Sequence, residues 1–176
     1  GLGRGRQTDA LVRRLMDLPQ PLVLDADGIN ALAGHMDEWE RRRGRVTVLT
    51  PHEGEFLRVG GDLSQGRTAA AEDFARRSGA VVVLKGPGTV VAGPDGRCRV
   101  NTTGNCGMAK GGSGDVLSGV VLALLGLGMD AFDACCCAVW LHGRAGDLAA
   151  QEKGQWGMTP TDLLERLPQA LREVTE

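Results

Sequence analysis

The sequence predicts an α/β domain: a mainly parallel sheet with helices on both faces. Three runs carry that reading, at residues 21–25, 46–50 and 80–84, each short and mainly apolar and each leading abruptly into polar residues. Strands buried on both faces of a parallel sheet look like this. Between and after them, apolar residues recur at three- and four-residue spacing, the pattern of amphipathic helices packed on such a sheet. At residues 104–115 a glycine-rich loop runs straight into a long apolar helix.

Taken in order, residues 1–6 form a glycine loop, GLGRGR, able to approach a ligand closely or to serve as a flexible end. Thr8 is positioned to cap a helix with Leu11, Val12, Leu15 and Leu18 on one face, ended at Pro19. The first strand delivers Asp25, Asp27 and Asn30 to its carboxyl end, where ligands bind in open α/β sheets. Asp27 reads equally as the cap of a short helix. The second strand delivers Pro51 and His52, beside Glu53 and Glu55. Ser64 opens a helix through Arg77 with Ala69, Ala70, Phe74 and Ala75 inward, closed by Gly79. The third strand ends at Lys85 in KGPGTVV; this lysine is either a solvated strand end or a compact charge for a phosphate. Residues 90–92 and 99–101 flank the turn GPDG as a hairpin. Beyond the central loop, Asp130 caps a helix to about Ala150 with Ala134, Ala138, Leu141 and Ala145 as a small-residue face. His142 on it reads as a packed or surface side chain rather than a catalytic one. Thr159 and Pro160 open a last helix that Pro168 interrupts.

With 176 residues, 42% of them hydrophobic, the chain suffices for one sizeable core, so 1–176 is read as a single domain. A net charge of −2 with scattered basic residues offers no footprint for nucleic acid or an anionic membrane. The cluster Arg41, Arg42, Arg43 and Arg45 is read as solvated surface. No apolar stretch reaches membrane-spanning length, and the five cysteines, three of them consecutive, lack metal-ligand spacing and read as reduced residues of a cytoplasmic protein. No metal ligands are assigned.

The central loop carries the chemistry. Gly104, Gly107, Gly111, Gly112 and Gly114 free the backbone, and the helix that follows, with Val116, Leu117, Val120, Val121, Leu124 and Leu125 on its inner side, points unpaired N–H groups back at the loop. This is an anion site. Asp115 at its mouth is either a carboxylate complementing the helix dipole or a general base beside an anion hole of the Gly112, Ser113 and Gly114 amides. Lys110 and Gly111 do not fit a Walker A loop.

The run NTTGNCGMAKGGSGDVLSG resembles the signature of the ADP- or ATP-dependent NAD(P)H-hydrate dehydratases of the ribokinase-like superfamily, and LDADGINAL, LTPHEGEF and LKGPGTVV resemble further motifs of that family in the same order. The resemblance implies a ribokinase-like fold lacking its first units, so that the chain is the C-terminal portion of the family domain and Gly1 falls in mid-domain. It implies dehydration of the 6S hydrates NADHX and NADPHX, driven by ADP or ATP with Mg²⁺. Carried over by motif, Asp115 is the catalytic base; Lys85, Gly86, Pro87, Gly88, Thr89 and Gly114 contact nucleotide; Gly3, His52 and Asp115 contact substrate. Asp25, Asp27, Asn30 and Asn105 are further candidates. A small-molecule kinase for a vitamin-type alcohol and a non-catalytic nucleotide-binding module are the rival readings. Missing first units would leave a raw sheet edge, hence an expectation of weak catalysis and of self-association.

Overall fold

The computed structural model describes residues 2–176; Gly1, with what was read at it, lies outside the described residues. In chain order the elements are α1 (Arg6–Leu15), β1 (Leu22–Leu24), α2 (Asp27–Asn30), α3 (Asp37–Glu40), β2 (Thr47–Leu49), α4 (Glu53–Arg58), α5 (Arg67–Ser78), β3 (Val81–Leu84), β4 (Val90–Ala92), β5 (Cys98–Val100), a 3-10 turn (Cys106–Met108), α6 (Ser113–Gly126), α7 (Ala131–Gly157) and α8 (Pro160–Thr175). The strands lie in the order β1-β2-β3-β4-β5. The first three are parallel, with Leu22 opposite Thr47 and Val48 opposite Val81, and the hairpin β4–β5 continues the sheet antiparallel. The sheet is thus mixed.

Successive strand residues face opposite sides. Leu49, Val82 and Leu84 point into a core with Trp39, Phe56 and Phe74 from α3, α4 and α5. Val48, Val81 and Val83 point the other way, onto Leu117 and Val121 of α6 and Phe132, Cys135 and Ala138 of α7. Helices therefore cover both faces, as the three apolar runs require. The small-residue face of α7 is buried as expected, at Ala134, Ala138, Leu141 and Ala145. No described helix is long and apolar enough to cross a membrane.

Several boundaries differ from the sequence reading. Thr8 does not cap α1: the helix starts earlier, after Gly5, the Thr8 hydroxyl donates to the Leu2 carbonyl, and Leu11 and Leu18 are exposed while Val12 and Met16 are buried. Ser64 does not open α5, because Asp62 captures its N–H and hydroxyl in a local turn and the helix begins after Gly66. Ala69 points outward and Ala71 takes its place inside. The second hairpin strand is Cys98–Val100, one residue earlier than 99–101, although the Asn101 amide still donates across to the Thr89 carbonyl at 2.8 Å. Nothing breaks α7 at Ala150; it runs to Gly157, kinked at Gly154 (φ 71°). Pro168 does not interrupt α8. It sits on the exposed side, where water can take the carbonyl its ring leaves unpaired. Arg42 is not solvated: it is buried, bonding the carbonyls of Leu18, Gln20 and Val46 and the Thr47 hydroxyl, which ties the end of α1 to β2. All five cysteines are free; burial pushes the Cys135 thiol up, and Cys136 up to about 11.

The entry to α8 is a capping box in which Thr159 accepts from the Asp162 amide and Asp162 from the Thr159 amide. Hydrogen bonds from Lys153 first, then from Thr159, hold the Asp162 carboxyl down to about 2, from 3.8. Because the folded value lies below the unfolded one, the carboxylate stabilises the fold above about pH 4 and the contribution is lost as pH falls toward 2. Asp162→Asn should flatten that part of the acid-unfolding curve, read from thermal melts of both proteins between roughly pH 2 and 5.

Candidate active site

Because β1, β2 and β3 run parallel, their carboxyl ends share one edge, and the residues that follow them meet there. His52 and Lys85 pair across this edge, with the Lys85 amide donating to the Pro51 carbonyl at 2.8 Å. Lys85 Nζ donates to Asp25 Oδ1 at 2.7 Å and lies 4.0 Å from Glu55 Oε2. The other Asp25 oxygen accepts from the Ser118 hydroxyl of α6 at 3.4 Å. Gly114 lies so close that a β-carbon there would sit 3.1 Å from Asp25 Oδ2 and 3.3 Å from Lys85 Nζ. The strand ends and the amino end of α6 thus converge on one ion pair.

Ala26 turns the chain between the two aspartates at φ 48°, the one non-glycine residue at positive φ among those described. Such conformations cost energy and persist where surroundings impose them. Its effect is to send Asp25 to Lys85 and Asp27 the opposite way, to the Gly3 amide at 3.0 Å and to Arg4. Asp27 does not cap α2 with its side chain. Gly3, Arg4, Thr8, Asp27, Asn30 and Arg58 line a cavity of about 300 Å³, with Asn30 accepting from Arg58 at 2.8 Å.

His52 is the N-cap of α4. Its Nδ1 accepts from the Gly54 and Glu55 amides at 3.0 and 3.3 Å while Glu55 accepts from the His52 amide, so Nε2 alone is left for other partners, with Glu55 Oε1 at 3.4 Å. The loop Lys85, Gly86, Pro87, Gly88 and Thr89 is anchored by Arg67, which donates to the carbonyls of Leu84, Lys85 and Pro87, and by Thr89 donating to the Gly86 carbonyl. Gly86 is required: at φ 148° its β-carbon would lie 2.7 Å from Arg67 Nη2. Arg67 carries no sequence signal of this role, since it comes from the start of α5.

The loop before α6 is held along α7. Asn101 and Thr103 donate to the carbonyls of Val139 and Trp140; Asp147 accepts from the Gly104 amide and from Asn105 Nδ2, each at 2.9 Å. Asn105 therefore faces α7 and a second cavity, of about 400 Å³, beside Arg144 and Gln151. Lys110 donates to the carbonyls that end α7. A β-carbon at Gly143 would lie 2.3 Å from Thr103 Oγ1 and 2.7 Å from its carbonyl carbon. Gly143→Ala is expected to cost about 1–3 kcal/mol as overpacking against backbone, measurable by urea unfolding.

At the amino end of α6 the amides of Gly112, Gly114 and Asp115 have no protein acceptor among the described residues, whereas Ser113 N–H bonds the Lys110 carbonyl at 3.3 Å. The free set thus shares Gly112 and Gly114 with the expected Gly112, Ser113 and Gly114 and has Asp115 in place of Ser113, because Gly112 at φ 98° folds Ser113 back on the preceding turn. The Asp115 carboxylate, in the first turn, is exposed and has no ion-pair partner among the described residues. His142, on α7, bonds the Ser113 carbonyl through Nε2 at 2.9 Å; burial pushes it down to about 4, from 6.5. Among the described residues no three His, Cys, Asp or Glu side chains cluster as a metal site.

The family model described as NAD(P)H-hydrate dehydratase matches residues 1–169. The chain belongs to the NAD(P)H-hydrate dehydratase family. Among its relatives, the bifunctional NAD(P)H-hydrate repair enzyme Nnr of Thermofilum pendens is 45% identical over all of this chain and 34% of its own length. The ADP-dependent (S)-NAD(P)H-hydrate dehydratase of Neisseria meningitidis serogroup B is 40% identical over 88% of this chain and 54% of its own. The ADP/ATP-dependent NAD(P)H-hydrate dehydratase of Bacillus subtilis, co-crystallised with ATP/Mg²⁺, superposes with a TM-score of 0.83 at 32% identity, over 98% of this chain and 62% of that one. The fold is ribokinase-like. This NAD(P)H-hydrate dehydratase family chain spans about a third of the length of the bifunctional relatives it matches.

Proposed function

We propose that the chain acts in repair of damaged nicotinamide cofactor, dehydrating the 6S hydrates NADHX and NADPHX to the reduced dinucleotides with ADP or ATP as co-substrate. The carrying observation is the meeting of free amides at Gly112, Gly114 and Asp115 with the Lys85–Asp25 pair, beside an unpaired carboxylate at Asp115. Hydroxide is a poor leaving group. In this reading Asp115 takes the proton of the substrate hydroxyl, whose oxygen bonds the terminal phosphorus as the bond to the nucleotide's bridging oxygen breaks, and the free amides stabilise the charge moving through the phosphoryl group. The ring nitrogen's lone pair then expels phosphate, and loss of the neighbouring carbon's proton restores the double bond.

Lys85, Gly86, Pro87, Gly88, Thr89 and Gly114 are assigned to nucleotide; Gly3, His52 and Asp115 to the hydrate. Mg²⁺, which binds mainly through the nucleotide's phosphates, would neutralise phosphate charge beside the free amides and leave Asp115 as the base. Five free cysteines and a freely diffusing substrate suit the cytoplasm. The test mixes this chain with NADHX and ADP or ATP plus Mg²⁺, following free phosphate and dihydronicotinamide absorbance. Both rising together supports the proposal. A stable phospho-ester would mark a kinase instead, and nucleotide binding without turnover a binding module.

A further inference from the structure

We infer that His142 is a positioning residue for the anion-binding turn of α6, setting the direction of the Gly114 amide through a hydrogen bond to the Ser113 carbonyl; this rests on the proposed nucleotide site. A carbonyl oxygen only accepts, so the 2.9 Å contact at His142 Nε2 means that this nitrogen carries the proton. Burial and the nearby Lys85 ammonium oppose a second proton, leaving the neutral ring with Nδ1 bare. The Ser113 C=O and the Gly114 N–H belong to one planar peptide unit and point in opposite directions. A donor that fixes the oxygen therefore fixes the hydrogen aimed at the ligand.

The need for such a pin lies in the local sequence. Gly111, Gly112 and Gly114 surround the turn, Gly112 already at φ 98°, and glycine leaves the peptide plane free to rotate. Ser113 has its own amide drawn back to Lys110, and the Gly114 amide has no protein acceptor among the described residues, so this peptide is held from its carbonyl side alone, where His142 adds a second donor to the first helical bond of α6. His142 reaches it from a rigid support: α7 also bonds Asn101, Thr103, Gly104 and Asn105 within a turn or two on either side. A preorganised amide loses nothing to reorganisation when charge arrives.

Three measurements on this chain test the inference. Side-chain ¹⁵N NMR of the wild type at pH 7 should show His142 as the neutral Nε2–H tautomer; an imidazolium or the Nδ1–H tautomer would overturn the assignment without any variant. Calorimetric titration with ADP and Mg²⁺ should show affinity about tenfold weaker in His142→Leu, and within about threefold of wild type in His142→Gln, whose side-chain amide can still donate. Equal loss in both, or none in either, is the outcome of a merely packed residue and overturns it. Backbone ¹⁵N relaxation in ligand-free protein should show Gly114 less ordered in the Leu variant than in wild type and Gln; identical order in all three overturns it. Should His142→Leu fail to fold, the wild-type tautomer and the Gln variant still decide. A wild type with the expected tautomer and order but no ADP-induced shift at Gly112 or Gly114 would remove the nucleotide site, and the positioning role with it, for a reason visibly different from failure of the pin.

Discussion

Asp115→Asn is expected to lower the proposed hydrate turnover by roughly 10²–10⁴-fold while ADP affinity stays within a factor of about three. The carboxylate sits in the first turn of α6, exposed, with no ion pair among the described residues. Removing its basicity therefore disturbs no structural partner, and an asparagine keeps the shape. Nucleotide is held by other groups in the proposed site, the free amides and the loop that starts at Lys85, so binding is spared. Single-turnover phosphate release beside calorimetry separates the two effects. Turnover near that of the wild type would remove Asp115 from the role of base and leave it as a dipole-complementing carboxylate.

Lys85→Ala has the next largest expected effect, and it acts twice. Losing a charge-assisted contact to phosphate should weaken ADP binding by about 1–3 kcal/mol. The same change leaves Asp25 and Glu55, both largely buried, facing a site without its ammonium. Breaking one partner of a buried pair costs about 3–5 kcal/mol, and residual solvent contact here places the loss in stability nearer about 2–4 kcal/mol. Urea unfolding reads the second effect and calorimetry the first. Unchanged ADP affinity with substrate affinity lost would reassign the loop to the hydrate.

Much of this architecture is legible in the sequence because buried parallel strands announce themselves as short apolar runs, and because Gly114 and Lys85 sit where such runs and their helices must meet. Side-chain tasks that join distant segments are less legible. Arg42 looks like one of a surface cluster until its three carbonyl partners on two segments are seen. Arg67 and Asp147 have no local pattern at all, since each acts on a loop 17 to 43 residues away. Thr8 and Ser64 mislead for the opposite reason: each is a plausible cap whose hydroxyl has a nearer or better partner. The Ser113 amide misleads because a single glycine dihedral, at Gly112, decides which N–H groups remain free.

The attachment of residues 101–112 to α7 has a consequence for how the protein opens. Contacts occur at Val139 and Trp140, at Gly143 and at Asp147, about 12 Å of helix at 1.5 Å per residue, and again beyond the Gly154 kink from Gln155 to Met158. A loop tied at one end can fray a residue at a time. This one cannot lift away from the middle of α7 without giving up several bonds together, so its amides and those of α7 should exchange with solvent as a single cooperative block. Peeling this loop back would therefore require those bonds to break together.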